Sequence, residues 1–434
     1  MRKRAIAALI ALGVCGAAAI APAAAFDCTY VAPSEPSSAT DATADSARTD
    51  FPAGRSGSEG PTGPPSGREQ SRPRDNAAGG PGSQRARVRE TRNPQLDVDA
   101  FIAALDRKLG RSTNGYALQL RQNGAPIRTK ARHWARRPVD GGVEWDPDQR
   151  MHVASISKLI TAIAMVKLLD DKGIDANARI AGYLPRHWRT GPGIDRITFA
   201  QLLRHETGFD TGTYYADYRF VQRQVAKGVT GVAGAYTYQN INFALARVLI
   251  PIVSGDIPAD ANLSDDAWDE QTLARYGDYV QRTVFAPAGV TGATLVRPPS
   301  AVLAYTYRGN GAGWVSGRLG CTAGAAAWFM SVNDVLDVLG TVRHRGTILP
   351  PGRLQVLLEQ KFGIDRVEPV GAASLYVKSG AWWDGPKTRM EQSVAYILPE
   401  GMELVVFVNS PIGAENDHFM GLVTDLYLEH VRYP

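Results

Sequence analysis

Apolar residues recur at helical spacing along much of the chain. The first such segment, residues 98–109, starts after Asp97, a residue type that caps helices, and stops at Gly110. Further helical patterns occupy the middle of the chain and return at its end, at residues 159–169, 243–250, 335–342 and 419–431. The sequence therefore predicts an amphipathic helix near each end and a largely helical middle.

Alternating apolar residues, which are typical of strands, flank this helical middle. On its N-terminal side, residues 116–121 and a second extended stretch past Ile127 are joined by the hairpin turn Asn123-Gly124. On its C-terminal side, alternating runs occur at residues 374–378, 393–398 and 404–408. One antiparallel sheet built from both chain ends, flanked by the terminal helices, explains this order most simply. The predicted class is α+β, with the helical middle as an inserted subdomain.

The first 95 residues differ in composition from the rest. Residues 5–25 are apolar, follow three basic residues and end in three alanines, which predicts a signal peptide over residues 1–25, cleaved before Phe26. The alternative is an uncleaved N-terminal anchor. Residues 26–95 are rich in Pro, Gly, Ser and Arg and too poor in apolar residues to offset the entropy of ordering, so we expect a disordered linker. Residues 96–434 are then expected to form one folded domain.

The export signal predicts a periplasmic or secreted protein of a bacterial cell envelope. Arginines are frequent in the second half of the linker. We interpret the linker as a solvated spacer, and the alternative is a tether that binds an envelope polyanion. Cleavage removes three basic residues and lowers the net charge from +5 to +2, so the charge does not indicate a nucleic-acid partner. After cleavage no segment is long and apolar enough to span a membrane.

Cysteine and histidine usage argues against a metal site. Of three cysteines, only Cys28 and Cys321 remain after cleavage, which leaves open one disulfide or two free thiols. This count excludes a disulfide scaffold and a thiolate zinc site. The seven histidines are scattered without a metal-ligand spacing. We therefore expect no metal and no cofactor.

Ser155 and Lys158 open the most apolar helical segment of the chain. Residues three apart share a helix face, so the Lys158 amine can reach the Ser155 hydroxyl. A serine needs a base to become nucleophilic at neutral pH, and a lysine at a helix N-terminus, where the helix dipole disfavours its charged form, can be that base. The same spacing alone also fits a capping serine followed by a surface lysine.

Tyr238 and Asn240 lie just before a predicted helix. A phenol can relay a proton to a leaving group, and an amide can bind a substrate amide without titrating. A Ser-Val-Asn triplet at residues 331–333 competes for this role. We interpret Ser331 instead as a helix cap, because Asp334 follows it by three residues and apolar residues then continue at helical spacing.

Lys378, Ser379 and Gly380 end an alternating, strand-like run. A strand there would offer a cation and a hydroxyl to a substrate carboxylate, and the glycine would let backbone approach the substrate. The next N–H, that of Ala381, would point into the cleft. Together with the N–H of Ser155 it would form the two-donor oxyanion hole that acyl transfer requires.

These three motifs, in this order, resemble the signature of the serine β-lactamase and penicillin-binding protein superfamily: SxxK, then SxN or YxN, then KTG. The tyrosine version resembles its class C branch. Residues 197–209, ITFAQLLRHETGF, are similar to the family stretch ITxxxLLxHxSG, and Thr198 and Gln201 within them also fit a capping box. The resemblance covers about residues 96–434 and implies the β-lactamase/transpeptidase-like fold.

The resemblance also implies roles. Ser155 would attack a carbonyl to form an acyl-enzyme, Lys158 and Tyr238 would share the general-base work, and Tyr238 would protonate the leaving group. Asn240 and Lys378 would orient the substrate. The histidine of the family stretch, His205, is interpreted as part of a structural turn.

The implied function is an exported serine hydrolase that acts on a small-molecule or peptide substrate, as an esterase, a D-amino-acid peptidase or a β-lactamase-like enzyme. Relatives continue with small residues after the third motif, whereas Trp382 and Trp383 follow here. The two tryptophans either line the substrate-binding cleft or pack at the end of a strand. This departure favours an esterase or peptidase over an efficient β-lactamase. The alternative is a catalytically silent module that binds penicillins or peptidoglycan fragments.

The signal-peptide interpretation predicts where the exported protein begins. When the full chain is expressed in a Gram-negative host, mass spectrometry of the exported protein should show Phe26 as the first residue. Replacing Ala23 and Ala25 with bulky residues should block cleavage. A mature protein that retains Met1 would contradict the interpretation and support the uncleaved anchor.

Overall fold

The structure is a computed structural model that describes residues 93–211, 216–307, 309–416 and 418–433. The signal peptide predicted over residues 1–25 and nearly all of the linker predicted over residues 26–95 lie outside the described residues. The described residues include all of the predicted catalytic domain except residues 212–215, 308, 417 and 434.

Strands form where β-branched and aromatic residues alternate with polar ones, and most of them lie towards the two ends of the chain. Within the described residues they are β1 Gln95–Leu96, β2 Gly115–Gln122, β3 Ala125–Arg136, β4 Val143–Glu144, β5 Met151–His152, β6 Tyr305–Thr306, β7 Phe329–Met330, β8 Arg366–Val370, β9 Ala373–Trp383, β10 Arg389–Leu398, β11 Met402–Val408 and β12 Val431–Arg432.

Helices occupy the middle of the chain and flank the sheet. In the described ranges the α-helices are α1 Val98–Ser112, α2 Ile156–Asp171, α3 Phe199–Arg204, α4 Tyr218–Lys227, α5 Asn240–Ser254, α6 Asp265–Val280, α7 Ala286–Ala288, α8 Val332–Gly340, α9 Pro351–Glu359 and α10 Phe419–Glu429.

Several helices begin at the caps that the sequence predicts. The Asp97 carboxylate accepts a hydrogen bond from the Ala100 N–H at the start of α1. The capping boxes predicted at Thr198 and at Ser331 are both formed, at the starts of α3 and α8. Ser331 is therefore engaged as a helix cap, as the interpretation of that triplet expected.

Eight strands of the described part of the chain form one antiparallel sheet, in the order β4-β3-β2-β11-β10-β9-β8 with β6 paired to β10. Strands from the N-terminal part, β2 to β4, lie beside strands from the C-terminal part. The hairpin between β2 and β3 turns at Asn123 and Gly124, whose φ angles of 52° and 79° suit a two-residue turn between twisted strands. The prediction that both chain ends build one sheet is confirmed.

The sheet buries both of its faces. Along β11, Leu404 and Val406 contribute to a core shared with α1 and α10, whereas Val405 and Phe407 contribute to a larger core shared with the helical middle. This alternation is the two-residue period of a strand. The α+β architecture, with terminal helices on one face and a helical subdomain on the other, is as predicted.

The structure differs from the expected elements at several places, including the end of the last helix and the segment before Ser155. The last helix ends at Glu429, because Val431 pairs with Leu96 between β12 and β1. Two short strands that the pattern did not indicate, β5 and β7, pair with each other. This second pairing attaches the segment before Ser155 to the segment that ends at Met330, and it thereby positions Ser155.

Cys321 is disulfide-bonded, and the other two cysteines, Cys15 and Cys28, lie outside the described residues. Among the residues that the structure describes, no helix meets the length and apolarity needed to cross a membrane. The same residues hold no group of three side chains that could bind a metal ion.

Candidate active site

Ser155 lies in a tight turn between β5 and α2. The preceding residue, Ala154, has a φ of +47°, a conformation that costs a non-glycine residue on the order of 1 kcal/mol. Ser157 Oγ accepts hydrogen bonds from the N–H groups of Ala327 and Trp328, each at 3.2 Å. The turn is therefore held by the β5–β7 pairing on one side and by α2 on the other, and Ser155 Oγ has a defined position.

Lys158 lies one helical turn further and is completely buried. Its Nζ lies 2.9 Å from Ser155 Oγ and 3.0 Å from the Ala325 carbonyl oxygen. Burial holds the pKa of Lys158 well below its ordinary value, the charge of Lys378 lowers it further, and the charge of Asp365 partly offsets both. The amine is therefore neutral at a lower pH than an ordinary lysine and can accept the Ser155 proton.

Tyr238 contacts the same hydroxyl from the segment just before α5. Its phenol lies 2.7 Å from Ser155 Oγ. Lys158 Nζ lies 4.9 Å from the centroid of the Tyr238 ring, and Lys378 Nζ lies 5.2 Å from it. The structure thus brings a hydroxyl, a phenol and two amines from three distant stretches of chain into one site.

The His205 ring packs against the Tyr238 ring. His205 ends α3 with a φ of +59°, and its ring stacks on the Tyr238 ring at a centroid distance of 4.5 Å. Its Nδ1 lies 3.2 Å from the Gln239 N–H and 3.1 Å from Asn242 Nδ2. Burial, followed by the charges of Lys158 and Lys378, holds the pKa of His205 well below its ordinary value. A neutral imidazole in a tight turn is a positioning group, as the sequence interpretation expected.

The third motif lies in β9. The pairing of β8 with β9 ends at Val377, so no strand of the described residues pairs with this edge of β9 beyond that residue. The Ser379 N–H points to this edge and donates to Asp365 at 2.9 Å. N–H direction repeats every second residue, so the Ala381 N–H faces the same edge. The Ala381 N–H is the group that the sequence analysis expects to be one of two oxyanion donors.

Gly380 allows this edge of β9 to lie against the turn that contains Ser155. A β-carbon at Gly380 would lie 2.4 Å from the Val153 carbonyl oxygen and 2.9 Å from the Ser155 nitrogen. The opposite residue on β10, Ser393, donates to that same Val153 oxygen at 2.8 Å. Only glycine fits where the strand and the turn before Ser155 come this close.

Asp365 is a charged group of the site that sequence reasoning missed. Its carboxylate accepts hydrogen bonds from Lys378 Nζ at 2.5 Å, from Ser379 Oγ at 2.7 Å and from the Ser379 N–H. It lies between Ile364 and Arg366, thirteen residues before Lys378, and belongs to none of the motifs. No local signal in the sequence could have identified it.

The remaining predicted residues occupy the expected elements. Asn240 is the first residue of α5, two positions after Tyr238, and is 5% exposed. Trp382 packs edge-on against the buried His152 ring at 5.5 Å, and the Trp383 ring lies under Lys387 Nζ. These contacts favour the packing interpretation of the two tryptophans.

Comparison with known proteins gives a consistent set of relatives. A sequence model of the beta-lactamase family matches residues 98–426. A curated relative, described as "Esterase/beta-lactamase LipL" from Mycobacterium tuberculosis, is 29% identical over 140 residues. The matched stretch spans 31% of this chain and 32% of that relative, about a third of its length.

Solved structures share the fold at low sequence identity. A D-amino acid amidase from Ochrobactrum anthropi is 19% identical with a TM-score of 0.58, and the match covers 77% of this chain and 97% of that one. A class C β-lactamase from Rhodobacter sphaeroides is 17% identical with a TM-score of 0.55, over 77% and 98% of the two chains. These likenesses show the fold.

The burial of Lys158 predicts how the reactivity of Ser155 depends on pH. Labelling of Ser155 by a fluorophosphonate should accelerate as the pH rises through the lowered pKa of Lys158 and level off well before an ordinary lysine would titrate. Lys158→Met should slow labelling at least about 100-fold. The control, Lys167→Met on the same helix, removes an exposed lysine paired with Asp171 and should label normally. A normal rate in Lys158→Met would contradict the assignment.

The close approach at Gly380 predicts a loss of stability on substitution. Gly380→Ala should lower the free energy of unfolding by about 1–3 kcal/mol, because its β-carbon would overlap the Val153 carbonyl oxygen. Thermal unfolding measures the change. Gly352→Ala, where no atom lies within 4 Å of the new β-carbon, is the matched control and should be tolerated. Equal stability of the two variants would show that β9 does not press on the turn.

Proposed function

The chain belongs to the beta-lactamase family, and we propose that it is a serine hydrolase that cleaves an ester or amide through an acyl-enzyme on Ser155. The observation that carries the proposal is the position of Ser155 Oγ, which lies 2.9 Å from a buried amine and 2.7 Å from a phenol. A structural serine needs neither group. Both can take part in moving the proton that a hydroxyl loses when it attacks a carbonyl.

Acylation begins when the neutral Lys158 amine, with Tyr238, takes the Ser155 proton and Oγ bonds to the substrate carbonyl carbon. The carbonyl oxygen becomes an oxyanion, which the N–H groups of Ser155 and Ala381 stabilise by about 3 kcal/mol each. Tyr238 then donates the proton to the leaving alcohol or amine as its bond to the carbon breaks. The product of this step is the Ser155 ester of the substrate acid.

Deacylation repeats these steps with water. Tyr238 and Lys158 take a proton from the water, whose oxygen bonds to the acyl carbon, and the same two N–H groups stabilise the second oxyanion. The bond to Ser155 Oγ breaks, the proton returns to that oxygen, and the acid leaves. Asn240 orients the substrate in both steps, whereas the Lys378 amine is held by Asp365. The reaction consumes one water and requires no other reactant.

Esters and amides are the proposed substrate class, because the named relatives include an esterase/β-lactamase and an amidase. The proposed compartment is the periplasm or the medium, and it depends on the signal sequence of residues 1–25 alone. The reaction would then act on compounds of the cell envelope or its surroundings.

A substrate panel tests the proposal. Purified enzyme should hydrolyse at least one of p-nitrophenyl butyrate, a D-amino-acid amide and a chromogenic cephalosporin, and Ser155→Ala should lower kcat at least about 1,000-fold. Ser254→Ala, which removes a half-buried serine at the C-terminal end of α5, is the matched control. Mass spectrometry during turnover should show the acyl group on Ser155. Binding of a fluorescent penicillin without covalent labelling or turnover would support the silent binding module instead.

A further inference from the structure

We infer that the site disfavours substrates whose leaving group carries a carboxylate, because Asp365 already occupies the place where such a group would bind. The inference rests on the proposed function. It narrows the proposed substrates to esters and amides whose leaving group carries no carboxylate. Its basis is the set of contacts that Lys378 and Ser379 make.

Lys378 and Ser379 form a carboxylate-binding site that is already filled. A cation, a hydroxyl and a backbone N–H converge there, which are the donors that recognise a substrate carboxylate. All three donate to the two oxygens of Asp365, at distances of 2.5 to 2.9 Å. The Lys378 side chain is 1% exposed and that of Asp365 12% exposed, so the pair is largely shielded from solvent.

This site lies on the leaving-group side of the cleft. Tyr238 is the proposed proton donor to the leaving group, and Lys378 Nζ lies 5.2 Å from the centroid of its ring. A substrate group that reached Lys378 would therefore extend from the leaving alcohol or amine.

The backbone holds Asp365 in place. Its N–H donates to the Val377 carbonyl at 2.9 Å, and the strand β8 begins at the next residue. Two residues earlier, Gly363 packs so closely on α2 that a β-carbon there would lie 3.0 Å from the Lys158 carbonyl oxygen. The Gly363 N–H also donates to the Leu203 carbonyl. These contacts fix the backbone of Asp365 against α2, α3 and β9.

A substrate carboxylate that entered this site would meet the negative charge of Asp365, and the positive charge of Lys378 would already be paired with it. If the substrate displaced Asp365, a buried carboxylate would lose three hydrogen bonds, and if it did not, two carboxylates would share one cation. Both arrangements are unfavourable, which is how a binding site rejects a wrong partner. A neutral leaving group meets neither cost.

A pair of esters that differ in one charge tests the inference. The phenylacetate esters of methyl 3-hydroxybenzoate and of 3-hydroxybenzoic acid share an acyl group, and only the second carries a carboxylate on its leaving group. The enzyme should prefer the neutral ester at least about tenfold in kcat/KM, after correction for the rates of the two esters in buffer. Asp365→Ala should reduce this preference at least about tenfold, and Asp365→Asn should reduce it less.

Controls separate the possible failures. Asp170→Asn removes a carboxylate that pairs with Arg353 outside the site, so the preference should not change. Equal hydrolysis of both esters by the native enzyme would overturn the inference and leave the proposed function intact. No hydrolysis and no acylation of Ser155 would overturn the proposed function.

Calorimetric titration with benzoate and benzamide decides the carboxylate question without turnover. Benzoate should bind Asp365→Ala more tightly than it binds the native protein, and benzamide should bind both alike. Tighter benzoate binding by the native protein would overturn the inference. If Asp365→Ala does not fold, as judged by circular dichroism, the same comparison is made with Asp365→Asn.

Discussion

The site depends on keeping one amine uncharged inside the protein. Lys158 is completely buried, and the neutral amine is satisfied by the Ala325 carbonyl and the Ser155 hydroxyl. Because its pKa is lower in the folded than in the unfolded state, the folded protein binds fewer protons in the window between the two values. The free energy of unfolding therefore increases as the pH rises through that window and decreases as the pH falls through it. Reactivity of Ser155 is thus obtained at the expense of stability in acid.

Local patterns in the sequence predict most of the fold, because the information lies within a few residues. The hairpin at Asn123-Gly124, the capping boxes at Thr198 and Ser331 and the apolar helix after Ser155 are short-range features, and all are present. The convergence of Ser155 and Tyr238, which are 83 residues apart, was expected only from the resemblance to a known family. Spacing alone carries no such long-range information.

The features that sequence reasoning missed depend on contacts between distant segments. β5 and β7 are two residues long, too short to show a period, and they exist because they pair with each other. Asp365 belongs to no motif, and its meaning arises only where the segment before β8 meets Lys378 on β9. Solved structures with less than 20% identity share the fold, so the architecture alone does not identify the substrate of a site.

The pairing of β1 with β12 has a consequence for engineering. It places Gln95 beside Arg432, at the ends of the sheet's terminal helices, which pack on the face away from α2. A linker of a few residues would join these two positions, and new termini could be opened in an exposed loop, so the domain is suited to circular permutation.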